Sequence, residues 1–160
     1  MLKRLDDALR SGDSIRAIIR HTGVNQDGKT LGIALPNCQA QESLVREMYQ
    51  QIKLDPRDVQ YVEAHGTGTI AGDVTEMKSI SAVFGQNRKP DRPLFVGSVK
   101  SNIGHLESSS GLAGLIKTIL MLEKGLLAPN INLDRLKSGI ENYMANIQVS
   151  RGSLPISEHV

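Results

Sequence analysis

The sequence predicts an α/β fold in which a layered sheet carries helices on its faces. Short apolar runs alternate with helical patterns along the chain, which is the signature of such a layered sheet. The run over residues 110–122 is apolar on almost every side, and a helix of that kind belongs between layers rather than on a surface. A third observation concerns loops: a lysine and a histidine, Lys100 and His105, lie between an apolar strand and that apolar helix. Strand-end loops are where open α/β sheets place ligands. With 160 residues the chain is long enough for one domain with a real core, so residues 1–160 are read as a single unit.

In chain order, residues 2–9 read as a helix ending at Ser11-Gly12. Residues 15–24 read as a strand, with Ile15, Ala17 and Ile19 alternating against Arg16, Ile18 and Arg20. Asn25-Gln26-Asp27-Gly28 is a turn signal. Pro36-Asn37 opens a helix to about Ile52, with Leu44, Val45, Met48 and Ile52 as its apolar stripe. Asp55-Pro56 breaks the chain, and residues 60–64 form a short strand. Asp73 followed by Glu76 is a capping pattern, and Met77, Ile80, Val83 and Phe84 supply the stripe of the helix before Gly85. Residues 94–99, bounded upstream by Pro90 and Pro93, read as a buried strand. Serines 108–110 start the apolar helix, and Gly125 and Pro129 close it. The tail from Asn130 is irregular, with residues 146–149 as a last strand.

Composition excludes several functions. Net charge is +2 and aromatics are 3% with no tryptophan, so neither a strong basic field nor stacking platforms point to nucleic acid. The sole cysteine, Cys38, rules out a disulfide within the chain and fits a reducing compartment. There is no signal-peptide core at residues 1–6, and the longest apolar run, broken by Lys117, is too short to span a bilayer. The expectation is a soluble cytoplasmic protein. No His-x-x-x-His or Cys-x-x-Cys pair suggests a metal site.

Chemistry concentrates in two loops. His65-Gly66-Thr67-Gly68-Thr69 follows a strand directly; Gly66 and Gly68 let backbone N–H groups approach a ligand, and Thr67 and Thr69 offer hydroxyls. His65 is suited to acid, base or neutral N–H donor work; the alternative is a turn whose histidine caps the backbone. His105 sits at a helix start, where the dipole disfavours imidazolium and favours a neutral ring; the alternative is a structural histidine. Asn102 and Gly104 suggest a tight, ligand-accessible turn beside it. Lys100 ends an apolar strand and needs a counter-ion, Glu107 or Glu63, unless it snorkels. Cys38 begins a helix without a small-residue elbow and reads as a packing cysteine. His21 and His159 have no supporting context.

These motifs resemble a known family. Val62-Glu63-Ala64-His65-Gly66-Thr67-Gly68-Thr69, Gly72-Asp73, and Val96-Gly97-Ser98-Val99-Lys100-Ser101-Asn102-Ile103-Gly104-His105-Leu106-Glu107 resemble the β-ketoacyl synthase domain of iterative, fungal-type polyketide synthases. Val24-Asn25-Gln26-Asp27-Gly28, Gly111-Leu112-Ala113-Gly114-Leu115-Ile116-Lys117 and Pro129-Asn130-Ile131-Asn132 fit it too. The resemblance implies half of a thiolase fold, a βαβα sheet with helices on both faces. It implies that His65 and His105 polarise a malonyl thioester and stabilise its enolate, that Lys100 supports them, and that Thr67 and Thr69 contact a pantetheine arm. It implies no resident cofactor, only an acyl substrate on phosphopantetheine. Two family features are not found in this sequence: the Thr-Ala-Cys-Ser-Ser elbow of the nucleophile and the closing Gly-Phe-Gly-Gly-Thr-Asn segment. Val74 stands where proline is usual.

The expectation is therefore a truncated ketosynthase-like enzyme of polyketide biosynthesis, with His65, His105 and Lys100 as acid–base site and no covalent nucleophile. Aldol-type cyclisation, dehydration, isomerisation and thioester hydrolysis are within such a site's reach. Thr67, Thr69, Gly66, Gly68 and Asn102 are the expected binding residues. The alternatives are a non-catalytic partner of a synthase or carrier protein, and a fragment of a condensing ketosynthase. The expected partners are a polyketide small molecule or an acyl carrier protein. A homodimer through helix 110–122 is also expected, because an isolated half leaves Leu112, Leu115, Ile116, Ile119 and Leu120 wet. Burying such side chains is worth about 1.5–3 kcal/mol each.

Overall fold

The computed structural model describes all residues except Leu31, Ile33, Ala34 and 157–160; His159 therefore lies outside the described residues. Its centre is a three-stranded parallel sheet of β1 (Tyr61–Glu63), β2 (Leu94–Gly97) and β4 (Ile147–Val149), in the order β1-β2-β4. Tyr61 faces Phe95 across the first pair, and Leu94 faces Ile147 across the second. Parallel neighbours need crossovers, and helices supply them. α3 (Ile70–Phe84) links β1 to β2, while α4 (Lys100–Ile103) and α5 (Ser110–Lys124) follow β2. A two-residue antiparallel pair, β3 (Leu126–Leu127) with β5 (Leu154–Pro155), closes the region after α5.

The core lies between the sheet and α3. Met77, Ile80, Val83 and Phe84 of α3 are buried against Leu94, Val96 and Ile147, which is the stripe the helical spacing predicts. α2 (Cys38–Ile52) packs on the outer side of α3, with Tyr49 edge-on to Phe84 at 5.4 Å between ring centroids. The Asn37 side chain caps α2 by accepting from the backbone of Gln39 and Ala40 at 3.0 and 3.2 Å. Lys53 at its other end takes the left-handed conformation that closes the helix. α1 (Leu5–Arg10) is shorter than the pattern over residues 2–9 suggests.

Two expectations need correction. Residues 15–24 form no strand: apart from Ala17 they are exposed, up to 93% at Val24. Alternation marks an extended amphipathic segment, but a strand exists only beside a hydrogen-bonding neighbour, and none is present among the described residues. The segment is tied down instead by Arg16 paired with Glu123 of α5 and by Gly23 packed on Met48 and Leu44. The second correction concerns α5, which is not sandwiched between layers. Only Ser110, Gly114 and Met121 are buried, while Leu112 and Ile116 are 62% and 57% exposed. Leu115 and Leu120 are exposed with them; Ile119 is only half-exposed. No helix among the described residues is long and apolar enough to cross a membrane.

Candidate active site

Both loops expected to carry chemistry leave the same end of the parallel sheet. β1 runs directly into Ala64 and His65, and β2 runs through Ser98 into α4 with Lys100. Their adjacency in the sheet brings the loops together. The His65 and His105 rings meet edge to face, with centroids 5.3 Å apart and planes at 89°. Forty positions of sequence thus separate two imidazoles that touch in space.

The His65 loop is held through its backbone. The Glu76 carboxylate accepts from His65 N at 2.6 Å and from Gly66 N at 2.9 Å. Asp73 accepts from Gly68 N at 3.0 Å. Asp73 and Glu76 therefore do not form the capping pair their spacing predicts. α3 starts earlier, at Ile70 after Thr69, so both carboxylates lie inside the helix and turn back onto the loop. Gly66 has φ +49°, and a Cβ there would lie 2.8 Å from Ser98 Cβ, so glycine is needed both for conformation and for space. Lys137 closes the loop from the far side, donating to Gly68 O at 2.8 Å and lying 3.8 Å from Asp73. The Thr67 and Thr69 hydroxyls stand 3.5 Å apart on this loop.

The His105 ring is oriented by its own following turn. Nδ1 accepts from the Glu107 backbone N–H at 2.8 Å and lies 2.8 Å from Ser110 Oγ. A backbone N–H only donates, so Nδ1 is unprotonated and the neutral ring carries its proton on Nε2. His105 does not stand at a helix start, as the sequence suggested, but in the turn between α4 and α5, which begins at Ser110. Gly104 at φ 74° and Glu107 at φ 48° supply the turn that folds the ring back onto α5. The His65 ring makes no hydrogen bond among the described residues and is exposed.

Lys100 is half-buried and lines a cleft of about 500 Å³ together with Glu63, Ala64, His65, Glu107, Ser110 and the α5 residues Gly111, Gly114, Leu115 and Thr118. Its ammonium takes neither expected counter-ion. Glu63 is bound instead by Lys117, at 2.9 Å, and also accepts from Tyr61 and from Val99 N. Burial, with the Glu63 carboxylate beside it, pushes the Tyr61 phenol well above its usual range. Asn102 is exposed on α4, pairs with Ser101 at 2.9 Å, and does not line the cleft. Asn130 does the structural work nearby, accepting from Ser98 N at 3.1 Å. Cys38 is half-buried, away from the cleft, and loss of hydration raises its thiol pKa, so it is not an activated nucleophile. Among the described residues no cluster of three metal-ligating side chains occurs.

Of the residues sequence reasoning named, the structure brings the His65 and His105 rings together and puts His65 and Lys100 on one cleft; it also shows Glu76, Lys137 and the Glu63–Lys117 pair, which that reasoning missed. One signal existed: Lys117 is a charge inside an otherwise apolar helix, and such a charge needs a buried partner. Lys137 carried none.

The parallel α/β layers are those of the thiolase-fold ketosynthase domains among solved structures that this chain resembles. The chain belongs to the β-ketoacyl synthase C-terminal domain family, which matches residues 16–134. It is 62% identical over 135 residues to a highly reducing polyketide synthase of Talaromyces stipitatus, covering 84% of this chain and 5% of that protein. It is 55% identical over 149 residues to a reducing polyketide synthase of Cochliobolus heterostrophus, covering 93% and 6%. The chain thus spans about a twentieth of the length of these relatives. Among solved structures it resembles the ketosynthase from module 6 of the Bacillus subtilis bacillaene synthase, with a TM-score of 0.91 and 37% identity over 99% of this chain and 28% of the other. The oxazolomycin ketosynthase domain of Streptomyces albus is similar, with a TM-score of 0.90, 35% identity and coverage of 99% and 27%.

Proposed function

We propose that this chain provides a carbonyl-polarising acid–base site for polyketide acyl thioesters and works through enolates. The observation that carries this reading is the facing imidazole pair, with the His105 proton held on Nε2. A thioester oxygen placed beside the ring pair, within reach of both, accepts one N–H from each. On a malonyl thioester, the bond between Cα and the carboxylate then breaks and carbon dioxide leaves. The electron pair moves onto the thioester oxygen as an enolate, held by both N–H groups, with Lys100 as electrostatic support. Protonation at Cα gives the acetyl thioester. The same enolate stabilisation serves aldol-type cyclisation, dehydration and isomerisation of a polyketide intermediate. Thr67 and Thr69 would hold the phosphopantetheine arm through their hydroxyls, while the Gly66 and Gly68 N–H groups are already taken by Glu76 and Asp73 and serve to shape the loop, with the substrate delivered free or by an acyl carrier protein. The site of action is cytoplasmic, a compartment that suits the free thiol of Cys38.

Malonyl-pantetheine incubated with the full chain tests this, with acetyl-pantetheine followed by mass spectrometry. Turnover above buffer is expected, falling at least about a hundredfold in His65→Ala and His105→Ala. No turnover by the parent chain overturns the acid–base reading. Pantetheine thioester binding without turnover would support a second reading, a non-catalytic partner of a synthase, for which the uncovered apolar face of α5 argues.

A further inference from the structure

Both oxygens of one carboxylate in the cleft floor are engaged by other elements. Glu63 Oε1 accepts from Val99 N at 2.5 Å, and Oε2 accepts from Lys117 Nζ at 2.9 Å and from the Tyr61 hydroxyl. Lys117 also donates to the Tyr61 hydroxyl oxygen, Oη, at 2.7 Å and lies over that ring, 5.3 Å from its centroid. The ion pair is largely hidden, with side chains 10% and 15% exposed. Two glycines make room for it: a Cβ on Gly114 would lie 3.0 Å from Glu63 Cγ, and one on Gly97 would lie 2.6 Å from the Tyr61 oxygen.

Each bond leads to one member of the site. Glu63 itself is two residues before His65 on the same strand exit. Val99 is the residue before Lys100. Lys117 is two turns along α5 from Ser110, whose hydroxyl meets His105 Nδ1 at 2.8 Å. We propose that Glu63, clamped by Lys117 and Tyr61, is the positioning residue that holds His65, Lys100 and His105 in one constellation. It ties the β1 exit, the β2 exit and α5 at a single point, so the imidazole separation is set beneath the cleft rather than within it. The inference rests on the acid–base reading above for its functional meaning, but not for its structural content.

The test uses the full chain with ¹⁵N-labelled histidine. The double variant Glu63→Gln/Lys117→Met removes both charges together and leaves no lone buried ion. Tyr61→Phe is the second variant, since it keeps the ion pair and the ring. In each folded variant, verified by circular dichroism, the His105 nitrogen signals are expected to move from a single Nε2–H tautomer towards a mixture. Where malonyl-pantetheine turnover is present, kcat is expected to fall at least about tenfold with KM nearly unchanged, and Lys117→Arg is expected to keep most of the parental rate. Folded variants of both kinds that retain the parental His105 signals overturn the proposal. A parent chain without turnover removes the acid–base reading alone, because the nitrogen signals still decide the role of Glu63.

Discussion

Adding one methyl group to Gly66 is expected to destabilise the chain far more than adding one to Gly68, two residues away. Both glycines have positive φ, +49° and +81°. An L residue in that region costs about 1–2 kcal/mol wherever it sits. The surroundings differ. A Cβ on Gly68 meets nothing within 4 Å, whereas one on Gly66 lies 2.8 Å from Ser98 Cβ and 3.1 Å from Ser98 Oγ. Ser98 is buried, and its hydroxyl both donates to His65 O and accepts from Lys100 N, each at 3.3 Å. It cannot yield without moving two members of the site. Overpacking of this kind adds about 1–3 kcal/mol. The expected losses are then about 2–5 kcal/mol for Gly66→Ala and about 1–2 kcal/mol for Gly68→Ala, against a whole-domain stability of about 5–15 kcal/mol. Urea titration of the two variants beside the parent chain reads the difference, with the shared backbone contribution cancelling. Equal midpoints for the two variants would refute the claim that the His65 loop is packed against the Lys100 turn.

Further predictions follow from charge and exposure. Tyr61 is held protonated far above its usual range, so its stabilisation is complete below about pH 10, where the unfolded phenol ionises, and is lost as pH rises through the folded value. An alkaline absorbance titration should show its phenolate only as the chain unfolds; a folded-state phenolate near pH 10 that is absent in Tyr61→Phe would contradict this. The apolar face of α5 should make the chain a homodimer by pairing these helices across a two-fold axis. Leu112→Glu with Ile116→Glu, both on that exposed face, should give a monomer by light scattering while circular dichroism is unchanged. A monomeric parent chain at micromolar concentration would dispose of the dimer.

Apolar patterning was enough to place α2, α3, α5 and the three strands β1, β2 and β4, but it predicted burial correctly only where the chain itself supplies the neighbour, as for α3 against β2, and not for α5, whose apolar face stays uncovered. It misled at residues 15–24, where alternating isoleucines promise a strand but pairing is a property of two segments, not one. The two-residue β3–β5 pair is too short to leave any pattern. At the site, histidines after strands were visible as residue types, but their meeting at 5.3 Å depends on β1 and β2 being adjacent, which sequence order alone does not fix. Hydrogen-bond direction was similarly hidden. Asp73 and Glu76 have the spacing of a cap and serve instead as acceptors for the loop before the helix. Lys100 and Lys117 compete for the same carboxylate, and only the packing of α5 on β1 shows that Lys117 takes it.

The central claim is that two imidazoles act together on one carbonyl. A double-mutant cycle on malonyl-pantetheine decarboxylation, using His65→Ala, His105→Ala and the combined variant, tests it most directly. Each single change is expected to lower kcat/KM by about 10²–10⁴, with the combined variant little worse than the poorer single, since either loss already breaks the shared donor pair. Losses that multiply, as for two sites working independently, would contradict the account.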